Sequence, residues 1–257
     1  MARSTVQIQQ PLGGLDLNYA YQSQPPFTLA DALNCRTRDV FESRSRLGSR
    51  PGLVKAFSQN VSGVTPIESF TKDFVAAKDT SLIAASPDSA AYGITESYRV
   101  GRSGSIHTWR SVQYYNLTSI PTGAVVIQAL LTLRIPSSNS AAGLPARVMR
   151  LTEPDWVETE ATWNRASAAL DWANGGAFTS TGEIGFTWPS GTNISMTLPI
   201  ETLVQDALDS RNKHLHVLIK SLNDMPNDAQ ELVSLGSRES VTALHRPTLT
   251  VTYEVVS

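Results

Sequence analysis

One cysteine, Cys35, is all that 257 residues offer, so no internal disulfide can form and a CxxC metal site is excluded. Charge of one sign is missing too. The formal net charge is −2, which leaves nothing to draw the whole molecule onto nucleic acid or an anionic membrane. No apolar run approaches the roughly 20 residues that cross a bilayer, so no membrane insertion is expected. The opening MARSTVQIQQPLGG lacks an apolar h-region and predicts no secretory signal. A chain with that start is expected to fold first in the cytoplasm. GxSxG, HExxH, P-loop and GxGxxG contexts are also missing, and no catalytic residue is assigned.

What is present is an ordinary soluble composition, 41% hydrophobic and 17% charged. The length allows one large β domain or two smaller ones. About residues 1–60 are rich in Gln, Pro, Gly and Arg and show no sustained period. They read as an extended anchoring arm that takes its order from a partner surface, with one short helical turn expected at TLADALNC. Residues 61–75 read as a linker or a leading strand. From 76 to 257 the period is two. Ile127, Ala129, Leu131, Leu133 and Ile135 fall on one face of a strand, as do Leu215, Val217 and Ile219, and Leu249, Val251 and Tyr253. Turn chemistry separates these runs at SIPTG, NGG, WPSGTN and DMPND. Short strands so punctuated predict an all-β, antiparallel β-sandwich, jelly-roll-like in kind.

One segment departs from that period. In PIETLVQDALDS the residues Ile200, Leu203, Val204, Ala207 and Leu208 make a helical stripe, with Pro199 at the expected first helical position. A short amphipathic helix is predicted there, lidding an open end of the sandwich.

Five motifs in order carry a resemblance. They are DTSLIAASPDSAAYG followed by ESYRVGRSG, then SIPTGA leading into an alternating strand. Next come Trp156, Glu158, Thr162 and Trp163 in a Trp-x-Glu-x-x-x-Thr-Trp pattern, then Ser237-Arg238-Glu239, then HRPTLTVTYE. Over about residues 79–254 the chain resembles the DNRLRE-domain proteins, a β-sandwich group that overlaps carbohydrate-binding modules of bacterial surface proteins. The family's apolar-Arg-Phe-Asp-Leu strand reads Gln113-Tyr114-Tyr115-Asn116-Leu117 here, without the arginine or the aspartate. The resemblance implies a fold and a binding or adhesive role, and it supplies no active site. The arm, from PLGGLDL to RPGL, resembles N-terminal segments of some tailed-phage virion proteins.

Several side chains remain as candidates. Trp109, Trp172 and Trp188 lie in or beside loops, where an exposed indole could stack on a sugar ring, and are the candidate glycan-binding residues. Trp156 and Trp163 are expected to pin loops or fill core. His214 and His216 sit two apart on one strand face. They could hold a metal, but no third ligand is evident, and a solvent-facing pair is favoured. His107 and His245 have no motif around them. Asp79, Asp88, Asp155 and Glu239 are loop oxygens that a structural calcium ion could use, the one cofactor left open. Asp155, Glu158 and Glu160 beside the tryptophans are expected to cap loops rather than hydrolyse glycosides. Arg36, Arg38, Arg44, Arg46 and Arg50 are read as a docking set for protein rather than nucleic acid, since no aromatic platform accompanies them.

The sequence therefore predicts a non-enzymatic virion protein of a bacteriophage, assembled in the host cytoplasm. Its arm would hold portal, neck, tail or capsid subunits. A homo-oligomer is expected. Its sandwich would stabilise neighbours or touch host surface polysaccharide. The alternative is a carbohydrate-binding module of a bacterial surface or extracellular protein.

Overall fold

A computed structural model describes residues 35–38, 45–49, 67–90, 92–103, 107–137, 139–172, 175–222 and 230–256. The chain divides into two units, Met1–Pro66 and Ile67–Ser257. In the first, strands β1 (Cys35–Arg38) and β2 (Ser45–Ser49) pair antiparallel, with a register shift between Arg36 and Arg38. These two stretches of the expected extended arm thus form an antiparallel pair and satisfy backbone hydrogen bonds with each other. Arg36, Arg38 and Arg46 lie on it. Arg44, Arg50, the rest of the arm and most of the TLADALNC turn fall outside the described residues, but Cys35 is in strand, not helix.

The second unit begins on a strand. β3 (Ile67–Val75) occupies the described part of the stretch read as linker or leading strand and lies at the edge of a four-stranded antiparallel sheet. Its order is β12 (Ile194–Pro199), β7 (Val125–Ile135), β15 (Thr248–Val256), β3. The facing sheet has seven strands. Its path runs β11 (Phe178–Thr187), β8 (Pro145–Leu151), β13 (His214–Ser221), β6 (His107–Asn116), β5 (Ser97–Ser103), β14 (Gln230–Gly236). β4 (Lys78–Ile83) also pairs with β6, beyond the point where β5 leaves it. A small hairpin, β9 (Arg165–Ser167) with β10 (Leu170–Asp171), stands apart. The all-β sandwich expected from the period of two is the observed fold.

The alternation explains the main core. Ala129, Leu131, Leu133 and Ile135 of β7 meet Leu215, Val217 and Ile219 of β13 and Leu249, Val251 and Tyr253 of β15, all buried. Ile127 departs from its predicted face and is 51% exposed. Opposite it the β15 register slips: Thr252 pairs with Gln128 and Tyr253 with Val126. Ile127 is the extra residue of a β-bulge, which breaks the alternation.

The helix α1 (Glu201–Ser210) forms as predicted, burying Leu203, Val204 and Ala207. Pro199 is not its first residue. It closes β12, paired with Leu130, and Ile200 is the N-cap. Beyond Leu130 the β7 edge has no strand partner on this side among the described residues, and α1 substitutes for one. Gln205 Oε1 accepts the Val126 N–H at 2.8 Å, Glu201 Oε1 accepts the Ala129 N–H at 3.2 Å, and the Ile200 N–H donates to the Ala129 carbonyl at 2.8 Å. The helix covers an edge as well as core, and buried backbone groups stay paired.

A second apolar cluster lies on the outer face of the seven-stranded sheet. Leu82, Val112, Leu151 and Leu218 project outward and are roofed by the 152–178 excursion through Trp156, Ala161, Ala166 and Trp172. β13 is therefore buried on both faces, and its apolar run HLHVLIK follows from that.

Candidate functional site

The loops at one end of the sandwich are locked by a charged network. Arg238 donates through Nε and Nη2 to the two oxygens of Glu158, at 2.9 and 2.8 Å. Nε also lies 2.7 Å from Glu239 Oε1. Glu158 Oε1 accepts the Asp79 N–H at 2.6 Å, and Asp79 Oδ2 accepts the Arg238 N–H at 2.8 Å. Ser237 Oγ donates to the Thr95 carbonyl at 2.5 Å. Gly93 is required beside this network: a Cβ there would lie 2.1 Å from the Glu158 carbonyl oxygen. The Tyr-Gly turn, the Trp-x-Glu segment and the Ser-Arg-Glu segment, far apart in sequence, thus meet at one point.

Asp79 is almost fully buried. Burial, reinforced by the nearby Glu239 and Glu158 carboxylates and offset by the Arg238 N–H, pushes its carboxyl up to about 8. Burial also raises Glu239. Asp79, Glu158 and Glu239 offer oxygens within 4.8 Å of one another. Of the four acids considered for calcium, two share this cluster: Glu239, and Asp79, which lies in strand β4 and not in the loop expected for it. Asp88 instead accepts from Asn164 Nδ2 at 3.1 Å, and Asp155 lines a separate cavity. The Arg238 guanidinium already supplies the cluster's positive charge. The three carboxylates weighed for hydrolysis go three ways: Asp155 to the cavity, Glu158 to Arg238, and Glu160 to the Ala168 N–H at 2.7 Å.

The remaining aromatic signature holds the roof in place. Trp172 Nε1 donates to the Thr162 carbonyl at 2.9 Å, and Thr162 Oγ1 accepts the Asn164 and Arg165 N–H groups. The Arg110 guanidinium lies 4.6 Å from the Trp163 ring centre. Trp156 is fully buried. The exposure expected of Trp109, Trp172 and Trp188 is corrected: they are 7%, 7% and 1% exposed. Trp172 belongs to the outer core, Trp188 packs edge-on to Phe186 at 4.8 Å, and Trp109 meets Tyr92 and Arg99. Loop position misled here because a large indole near a sheet end is drawn under the neighbouring loop.

The histidine pair also differs from expectation. His214 and His216 share the outer face of β13, but the excursion covers that face, and His216 is 7% exposed. Its Nδ1 accepts the Trp156 indole N–H at 3.0 Å. An indole only donates, so Nδ1 is unprotonated and the neutral ring carries its hydrogen on Nε2. Burial, with the positive charges of Lys78, His214 and Arg211, lowers this imidazole to about 4. His214 Nδ1 lies 2.7 Å from the Tyr114 hydroxyl. Tyr114 stacks on His216 with ring centres 4.5 Å apart. Lys78, Tyr114 and His216 are register neighbours across β4, β6 and β13. Lys78 Nζ donates to the Trp156 carbonyl at 2.8 Å and lies 5.2 Å from that indole's centre.

These groups line an open cavity of about 570 Å³ closed by Leu151, Pro154 and the helix's C-terminal turn. Arg211 there ion-pairs through Nε with Asp206, which Arg150 also engages. Sequence reasoning missed Lys78, Tyr114 and Arg211 as a set. The signal available was Tyr114 standing two residues after another outward-facing position of β6, Val112.

No family model matches the chain, and no curated protein matches it. Among solved structures it is similar to a chain from mud crab tombus-like virus, at 12% identity and TM-score 0.30, covering 83% of this chain and 92% of that one. It is also similar to one from Macrobrachium rosenbergii nodavirus, at 10% identity and TM-score 0.29, covering 80% and 57%. Likeness at that level is too slight to bear on function.

Proposed function

We propose that the chain is a non-enzymatic structural protein of a phage virion, attached through its leading sixty residues and projecting the sandwich as a binding or stabilising module. The observation that carries the module half is the convergence at Glu158. Motifs that would mark a reactive centre in an enzyme are here spent on holding loops together: Glu158 and Asp79 are bound to Arg238 and to backbone N–H groups rather than presented to a cleft. The segments that meet there are ones that carry the resemblance to the DNRLRE-domain proteins, and this reading assigns the chain to that group. The arm's resemblance to tailed-phage segments supplies the virion half, with portal, neck, tail or capsid subunits as partners. The test is mass spectrometry of gradient-purified particles from a lysate of the host. The chain should sediment with portal and capsid proteins at fixed stoichiometry. Its recovery only in the soluble fraction would end the reading.

A second reading, a carbohydrate-binding module of a surface protein, is favoured by one feature, the cavity beside Tyr114. Its sandwich would be the same and its partner would be a polysaccharide.

A further inference from the structure

The geometry points to the cavity between β4, β6, β13 and the end of α1 as a binding site for an acidic saccharide, whose carboxylate is received by Lys78, His216 and Arg211. The inference deepens the glycan-contact part of the reading above and rests on it.

Lys78, His216 and Arg211 present donors to the cavity, with Asp155 as the one carboxylate among its lining residues. His216 has its only acceptor nitrogen committed to Trp156, so what it presents to the cavity is Nε2–H. Lys78 is held by a carbonyl and two aromatic rings and has no carboxylate partner among the described residues. Arg211 spends Nε on Asp206, and its terminal nitrogens have no protein partner among the described residues. Asp206 is shared between Arg150 and Arg211, so one carboxylate answers two guanidinium groups. Donors with one unpaired ammonium and one guanidinium that shares its carboxylate select an acceptor-rich anion.

The cavity is larger than a bare anion. About 570 Å³ lies in the range of small-molecule sites and admits a sugar ring. Pro154 offers apolar surface to ring C–H groups, while Asp155, Ser210 and Asn212 offer polar atoms for hydroxyls. Asn212 adopts φ 50°, the left-handed turn conformation that brings its backbone to the rim. The Tyr114 ring, stacked on His216 with Lys78 above it, serves as rigid support for the donors and not as a stacking platform.

Calorimetric titration of the full chain with galacturonate oligomers, neutral galactose oligomers and inorganic phosphate tests this. The acidic oligomer should bind, and the neutral one should bind at least about tenfold more weakly. Arg211→Gln should weaken acid binding by about tenfold, and Lys78→Met likewise. Lys72→Gln, on the other sheet, should leave it unchanged. Thermal melts of each variant establish folding, and Arg211→Gln alone decides if Lys78→Met does not fold. No heat with the acidic oligomer, equal affinity for the neutral one, undiminished binding in Arg211→Gln, or phosphate bound as tightly as the sugar acid would each overturn the inference. None of these outcomes touches particle association, which the sedimentation test decides separately.

Discussion

Asp79 and His216 carry opposite pH signatures. The Asp79 carboxyl sits at about 8 in the fold against 3.8 ordinarily. Between those values the folded chain holds a proton that the unfolded chain has released. The stabilisation is full below about pH 4 and is lost as pH rises toward 8, at a limiting slope of roughly 1.4 kcal/mol per pH unit. His216 runs the other way. Held at about 4 against 6.5, it is neutral in the fold where the unfolded chain is protonated. Its contribution is full above about 6.5 and is lost as pH falls toward 4. The two oppose each other below about 6.5, and above it Asp79 acts alone. Urea unfolding at about pH 5, 6 and 8.5 should show stability declining mainly in the upper interval, and Asp79→Asn, which copies the protonated acid, should abolish the decline. A decline of the same size in the variant would assign it to other groups. Trp156→Phe removes the indole donor that holds His216 Nδ1 unprotonated. The imidazole should then titrate nearer 6.5, as read from its proton NMR signals, and an unmoved midpoint would mean that burial alone sets it. Glu158→Ala leaves the Asp79 N–H without its acceptor and Arg238 with Glu239 alone. A loss of about 2 kcal/mol is expected in the same urea measurement, and a loss under about 0.5 kcal/mol would make the network incidental.

At the scale of elements, α1 acts as an edge cover, and that role has a measurable consequence. Gln205→Ala and Glu201→Ala each leave one β7 N–H unpaired, and each should cost about 1 kcal/mol. Faster amide exchange confined to Val126 and Ala129 would locate the effect, whereas exchange unchanged at both would refute it. The helix was legible in the sequence because five apolar residues kept a 3.6 spacing. Its start was not, since Pro199 suits a strand's last residue as well as a helix's first. The strands of β7, β13 and β15 were legible from alternation, up to the bulge at Ile127. A bulge depends on the partner strand's register, which no single run of residues reports.

For the whole molecule, the sandwich was written in local pattern and the second core was not. The 152–178 excursion returns over the outer face of the larger sheet, turning His216 from an expected surface residue into a buried one and drawing Trp172 beneath it. That is a long-range event, invisible to spacing. The acids of the Glu158 cluster could each be singled out by type, but their meeting depends on loops some 80 residues apart closing at one end.

In the proposed function, residues 67–257 are a self-sufficient module and the leading region attaches it. Particles lacking the protein, mixed with either the full chain or residues 67–257 alone and then sedimented, test it most directly. The shorter chain should melt as the full chain does and stay in the supernatant, while the full chain sediments with the particles. A shorter chain that sediments equally well, or that does not fold by itself, would contradict the account.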